Sequence, residues 1–428
     1  MKRQFLVFFN IFMGFLAAYC QTGVWSGNLD IQGTKLPIVF HLDDENPTLD
    51  SPAQGAKGIP IEVSKAESYT ISINIPSIRA AFKGVCANNK IMGKFSQGGM
   101  ELPLILSPGD PTILRPQTPK PPYPYSQEEV SFTNGDAVLK GTLTLPEGYS
   151  KDTPVLIMIT GSGLQNRDEE IFEHKPFAVI ADALARNGIA TLRYDDRGYG
   201  ESTGDPVNCT TEDLMNDALA GINLLRQRFN KVGLLGHSEG GTIALMLGAN
   251  KKVDFIVSLA GMVVSGKETL LDQNRDILSK AGFPQPVVDE YCELISLVFD
   301  NDTSMSQKLE ASSLPTELKQ NLQAVMQQMK SPYMQYFLAL DTRHMLRNID
   351  CPVLALNGTK DSQVFCKNNL DALNKGLPSN VLNKTVALDG LNHLFQHCKT
   401  GSLNEYATIE ETISPEVLEI IIQWLKSL

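Results

Sequence analysis

The pentapeptide Gly236-His237-Ser238-Glu239-Gly240 places a serine between two glycines. It follows the apolar run Val232 to Leu235 and precedes Thr242-Ile243-Ala244-Leu245. An apolar run that turns sharply into an Ala/Leu-rich helix forces the middle residue into strained backbone geometry and leaves no room for a Cβ on either flank. Ser238 would then stand out at the end of a strand. The positive end of the following helix and the backbone N–H of Glu239 would both face a developing oxyanion. A second match to the spacing, Gly200-Glu201-Ser202-Thr203-Gly204, follows the turn Asp195-Asp196-Arg197-Gly198 and precedes Asp205-Pro206, so no helix starts where the chemistry needs one. Ser202 reads as a loop residue.

A serine hydroxyl needs a base to take its proton, and the base needs an acid to fix its tautomer and stabilise the imidazolium. The candidates for these partners are an acid and then a histidine in loops at strand ends downstream of the serine. The strand-like Pro352 to Leu356 runs into Asn357-Gly358-Thr359-Lys360-Asp361, which sets Asp361 in a loop at a strand end. Asp371, inside a helical pattern, and Asp389, after a later strand, are its rivals. Only His393 and His397 lie downstream of Asp361, and His393 comes directly after the strand end and turn Val386 to Asn392. His397, four residues on, reads as a neighbour of the next helix, and His237 as packing against the sheet edge. His41, His174 and His344 have no partner visible in sequence. A second oxyanion donor should come from the loop after Val155 to Ile159, where Thr160-Gly161-Ser162-Gly163-Leu164-Gln165 offers unhindered N–H groups. Ser162 is the first choice and Gly163 the next.

These residues require a scaffold of buried strands alternating with helices. Beyond Tyr125 the apolar runs Pro154 to Thr160, Ile189 to Tyr194, Val232 to Leu235 and Phe255 to Leu259 alternate with helical segments at Phe177 to Arg186, Leu214 to Leu225 and Ile243 to Leu247. That rhythm predicts a mostly parallel, doubly wound sheet, led by an antiparallel hairpin at Glu129 to Thr133 and Val138 to Leu145. The rhythm stops after Ala260 and resumes at Pro352. The intervening segment, about 264–347, is rich in Leu, Gln, Met and Glu, which predicts a helical cap over the C-terminal ends of the strands. Residues 21–110 instead carry short alternating stretches such as Lys35 to His41, Tyr69 to Ile75 and Lys90 to Phe95, which predict a small β-sandwich or barrel. Six prolines between Pro111 and Pro124 mark 111–125 as an extended linker, leaving 126–428 as the catalytic domain.

Lys2 and Arg3 precede an apolar run from Phe5 to Ala18, shorter than the ~20 residues of a membrane span. The pattern predicts a leader over 1–20, cleaved before Gln21, and therefore an exported protein, periplasmic or extracellular, without a membrane span. Lipid modification of Cys20 is the competing reading, opposed by the bulky Tyr19. Losing Lys2 and Arg3 takes the net charge from −11 to −13 and leaves no basic stripe for nucleic acid. The cysteines remaining after export, Cys86, Cys209, Cys292, Cys351, Cys366 and Cys398, fit no metal-site spacing and read as buried thiols. Cys366 and Cys398 lie five residues past Asp361 and His393 respectively, so a disulfide between them is the one bond that convergence of those two loops would allow.

Together, Thr160-Gly161-Ser162-Gly163, the run Arg193 to Gly200, Gly236 to Gly241, Asn357 to Asp361 and Gly390-Leu391-Asn392-His393 resemble the α/β-hydrolase superfamily, in its bacterial esterase and serine-aminopeptidase-like branch with a β-rich N-terminal extension. The resemblance covers about Gln127 to Leu428. One departure is Thr160, where many relatives have His. The resemblance implies acyl transfer without metal or organic cofactor: attack by Ser238 on a small-molecule ester or short peptide-like substrate, an acyl-enzyme, and release by water. Ester cleavage leads, aminopeptidase or amidase action follows, and thioester hydrolysis ranks third. An envelope ligand-binding protein on a hydrolase scaffold is the alternative of another class. Ser238→Ala should lower turnover of a short-chain aryl ester by on the order of 10⁶, and Ser202→Ala should leave most of it. The reverse result in the same assay would refute the elbow assignment.

Overall fold

Alternation of apolar and polar residues governs the first part of the chain. In a computed structural model, which describes residues 23–428 apart from 32, 43–44, 66–69, 88–89, 110–114 and 301, these residues form β1 Gly23–Ile31, β2 Thr34–Leu42, β3 Thr48–Ser51, β4 Ala56–Pro60, β5 Glu62–Lys65, β6 Thr70–Ile75, β7 Ala80–Ala87, β8 Lys90–Gln97 and β9 Met100–Pro108. Ile71, Ile73 and Ile75 of β6 point inward at alternate positions, as the two-residue repeat of a strand requires. The expected sandwich or barrel is instead one antiparallel sheet in the order β4-β3-β2-β1-β9-β8-β7-β6-β5. Its two halves share a single core, with the rings of Phe40 (β2) and Phe82 (β7) 5.7 Å apart. The sheet therefore bends on itself, with β4 and β5 left as its two edges. Residues 1–20, where a leader is expected, and with them Cys20, lie outside the described residues.

The chain divides into two units, one up to Leu114 together with Tyr406–Glu410, and one of Arg115–Glu405 with Glu411–Leu428. In the second, β10 Ser126–Asn134, β11 Ala137–Leu145, β12 Val155–Ile159, β13 Ala190–Tyr194, β14 Val232–His237, β15 Ile256–Leu259, β16 Val353–Gly358 and β17 Lys384–Leu388 form one sheet in the order β10-β11-β13-β12-β14-β15-β16-β17. Pairing is antiparallel from β10 through β11 to β13 and parallel from β13 to β17. Every residue of β12, β13 and β14 is buried, as expected of central parallel strands, and Thr191, Arg193 and His237 are buried among their apolar neighbours.

Side-chain alternation along these strands feeds two cores. Leu156, Met158, Leu235 and Leu354 meet helices α1 Pro176–Ala185 and α10 Pro415–Lys426 on one face. Ile157, Leu234, Ile256 and Val353 meet α2 Thr211–Leu225, α3 Glu239–Ala249 and α9 Cys366–Gly376 on the other. Between β15 and β16 lie α4 Gly266–Lys280, α5 Gln285–Phe299, α6 Met305–Ala311, α7 Thr316–Gln328 and α8 Pro332–Ala339, which bury Val288, Tyr291, Ile295 and Leu322 in a core of their own. Among the described residues, no helix is long and apolar enough to cross a membrane.

The loop after β13 is held by buried charge. Arg197 donates twice to Asp217 of α2, at 2.6 and 2.7 Å, and Asn134 donates to the same carboxylate. Arg167 reaches Asp195, Glu129 and Glu201 together. Ser202 sits inside this framework. Its hydroxyl donates to the Asp195 carbonyl at 2.7 Å and accepts from the Lys140 N–H at 2.9 Å, which fastens the loop to β11. No helix starts directly after it, the next beginning at Thr211.

Candidate active site

The turn from β14 into α3 leaves no space for side chains at its flanks. A Cβ on Gly236 would lie 2.0 Å from the Gly240 carbonyl oxygen, and one on Gly240 would lie 2.0 Å from the Ile159 carbonyl oxygen. Between them Ser238 takes φ 53° and ψ −118°, a left-handed conformation that costs a non-glycine residue on the order of 1–3 kcal/mol. Its own N–H donates to the Leu259 carbonyl at 2.8 Å, which ties the turn to β15. Ser238 is half-buried, and among the described residues its hydroxyl makes no hydrogen bond.

Asp361 and His393 lie in the loops after β16 and β17. They meet through a 2.7 Å hydrogen bond between His393 Nδ1 and Asp361 Oδ2, with both residues buried. The other carboxylate oxygen accepts the N–H groups of Gln363 and Val364 at 2.8 and 2.9 Å, so the acid is fixed before it touches the ring. A carboxylate only accepts, so His393 donates from Nδ1 and presents the Nε2 lone pair. Asp389 is instead exposed and accepts from the Thr359 hydroxyl, and Asp371 pairs with Lys367 on the surface of α9. The side chain of His397 is exposed and faces Glu411. The base loop and the serine turn meet at His237, whose ring centroid lies 4.7 Å from that of His393.

The loop after β12 is gripped along its length. The Thr160 hydroxyl donates to Asp196 at 2.9 Å, and the Gln165 N–H donates to the same carboxyl at 2.8 Å. The Gly161 N–H donates to Glu169 Oε1 at 2.8 Å, so it has no capacity left for a substrate. The N–H groups of Ser162, Gly163 and Glu239 have no hydrogen-bond partner among the described residues. Gly161 lies against the serine itself, since a Cβ there would be 3.2 Å from Ser238 Cβ. The Glu239 side chain turns away and is fully buried, accepting from Thr211 at 2.6 Å and from Tyr333 of α8 at 2.7 Å, with the Ser162 hydroxyl beside it. Burial pushes its carboxyl above the usual range against those hydrogen bonds.

A model of the serine aminopeptidase S33 family matches residues 173–395, just over half of the chain. The chain belongs to this family. It is a hydrolase of the α/β class. Over 311 residues, 71% of this chain and 68% of its relative, it is 27% identical to esterase EstD of Thermotoga maritima. Over 142 residues it is 32% identical to thiohydrolase aneE of Aspergillus aculeatus, covering 32% of this chain and 42% of that one. Among solved structures it is similar to proline iminopeptidase of Mycobacterium smegmatis, with a TM-score of 0.45 and 15% identity over 70% of this chain and 98% of the other.

Within this family member the sequence reading missed a set of buried acids. Asp196, Glu169 and Glu239 each take hold of, or lie beside, a different residue of the loop 160–165, yet nothing in their spacing separates them from solvated loop charges. The disulfide between the acid and base loops is absent. Cys366 and Cys398 are free, their thiols facing the carbonyls of Asn357 and Gly390. The loops converge at Asp361 and His393, but Cys366 already opens α9 and Cys398 turns back toward Gly390.

Burial pushes the Asp196 carboxyl up from 3.8 to about 8, against hydrogen bonds from Gln165 and Thr160 and with added repulsion from Glu169 and Glu239. The folded protein then holds a proton that the unfolded chain releases near pH 4. Asp196 therefore makes stability fall as pH rises across that window, from about 4 to about 8. Asp196→Asn, which cannot ionise, should show a flatter dependence of Tm on pH between 5 and 8 than the wild type. An unchanged slope would contradict a neutral Asp196.

Proposed function

We propose that the protein is an exported carboxylesterase in which Ser238 attacks the ester carbonyl, His393 takes the serine proton through Nε2, and Asp361 holds the imidazole and stabilises its charged form. The observation that carries this reading is the fixed Asp361–His393 pair at 2.7 Å, delivered by two separate loops to the neighbourhood of the strained serine turn. The serine–base hydrogen bond of such sites is often long in the free enzyme and tightens with substrate. The N–H groups of Glu239 and Ser162, with Gly163 next to them, are the donors proposed for the tetrahedral oxyanion, and the N-terminus of α3 reinforces Glu239. The acyl-enzyme on Ser238 is then hydrolysed by water with His393 again as base.

An ester is favoured over an aminoacyl amide by what surrounds the serine. A peptidase acting at a free N-terminus needs an anionic group for the substrate ammonium. The Glu239 carboxyl, next to Ser238 in sequence, already accepts from Thr211 and Tyr333 and is held toward its neutral form by burial, and Glu169 is occupied by His237 and the Gly161 N–H. The relationship to a protein named as an esterase agrees with this preference. We expect kcat/KM for p-nitrophenyl butyrate to exceed that for alanine p-nitroanilide, and a fluorophosphonate to label the wild type but not Ser238→Ala. Faster anilide cleavage would move the assignment to an aminopeptidase.

A further inference from the structure

His237 lies inside the serine turn, and both of its ring nitrogens face acceptors. Nδ1 is 2.9 Å from Glu169 Oε1, and Nε2 is 2.9 Å from the backbone carbonyl oxygen of His393. A carboxylate and a backbone carbonyl have no hydrogen to give. A neutral imidazole has one N–H and one lone pair, so either tautomer would set a lone pair against an acceptor. With Glu169 as the carboxylate, both contacts are satisfied only if the ring carries two protons.

The same Glu169 oxygen accepts the Gly161 N–H at 2.8 Å. One chain of hydrogen bonds thus runs from the donor loop through Glu169 and His237 to the backbone of His393. Glu169 and His237 are both buried. Glu169 holds its place in a left-handed conformation, φ 53°, unusual for a residue other than glycine.

We propose that Glu169 and His237 form a buried ion pair that positions the donor loop and the His393 loop against each other across the serine turn. The proposal rests on the reading of Ser238 and His393 given above. Neither residue touches the reacting atoms, and both act through their neighbours. Removing one member leaves the other buried without its counter-charge, which breaks the chain of contacts at its centre.

The surroundings determine how the pair responds to pH. His237 faces Glu169 from the loop before α1, the ring and carbonyl of His393, and, behind that ring, Asp361. The remaining walls are apolar: Phe177 and Ile180 of α1, Leu259 of β15, and Leu394, Phe395 and Ile413. Burial pulls the imidazolium toward deprotonation, but the charge and hydrogen bond of Glu169, the His393 carbonyl and Asp361 outweigh it and raise the His237 pKa above its usual value. The contribution is present below the ordinary histidine range and is lost as pH rises through the raised value. Loss of that proton turns the Nε2 contact with His393 from attraction to repulsion, so kcat should have an alkaline limb.

The test is ¹⁵N NMR of the histidine-labelled full chain, which has only six histidines, combined with kcat and KM for p-nitrophenyl butyrate across pH in the wild type and Glu169→Gln. The glutamine keeps an acceptor for Gly161 but removes the charge. We expect both His237 nitrogens to be protonated at neutral pH in the wild type and one of them to lose its proton in Glu169→Gln. The alkaline limb of kcat should move toward acid by about one pH unit, a tenfold weaker hold on the proton, while KM changes little. Glu169→Asp, which restores the charge, should move the limb back toward the wild-type position. A purely structural contact would lower activity without displacing the profile. A singly protonated His237 in the wild type overturns the pair whether or not the variants fold, and so does an unshifted limb in Glu169→Gln. A wild type that fluorophosphonate fails to label overturns the reading of Ser238 instead.

Discussion

The serine turn is so crowded that backbone atoms occupy the space a side chain would need on both sides of it. Gly236 and Gly240 are within 2.0 Å of having their Cβ positions filled by carbonyl oxygens, one from the turn itself and one from β12. That contact makes the distance between β14, α3 and the loop after β12 a fixed quantity. Ser238 can hold φ 53° only because the hydrogen bond to Leu259 and the buried strands on either side overdetermine it. A shift in β12 or β15 would be felt at the serine, and the fully buried strands β12, β13 and β14 supply the rigidity that prevents it.

Around this hard contact the protein places carboxyls where a loop would otherwise be free. Asp196 clasps Thr160 and Gln165, and Glu169 takes Gly161, while Glu239 lies beside Ser162 and reaches Tyr333 on α8. Buried carboxyls are expensive unless hydrogen-bonded, and here each is supplied with donors from the loop it fixes. The free N–H groups of Ser162, Gly163 and Glu239 are left over from this arrangement. Preorganised donors of that kind need no rearrangement when charge develops on a substrate oxygen.

The parts of this site that are legible in sequence are those that depend on local chemistry. Two glycines around a serine, an apolar run before it and a helix after it declare a turn, and a carboxylate or histidine just past a strand declares a loop at the strand's end. The flanking sequence, not the spacing, separated Ser238 from Ser202, whose hydroxyl is occupied with Asp195 and Lys140. Other features depend on distant pairing and are not legible. Alternating stretches such as Lys35 to His41, Tyr69 to Ile75 and Lys90 to Phe95 were visible singly, but the order of the nine strands and the opening between β4 and β5 were not. His237 read as packing because its partners, Glu169 and the His393 carbonyl, are 68 and 156 residues away. Thr160, which read as a departure from its relatives, uses its hydroxyl to bind Asp196, an acid that in sequence is part of a turn.

The central claim is that acyl transfer passes through a covalent ester on Ser238. Rapid acid quench of the wild type mixed with p-nitrophenyl butyrate, followed by digestion and mass spectrometry, reads that intermediate directly. One butyryl group should appear on the peptide containing Ser238, formed in a burst with one equivalent of p-nitrophenol and absent from Ser238→Ala. An acyl group on any other residue, or turnover in Ser238→Ala at the wild-type rate, would contradict it.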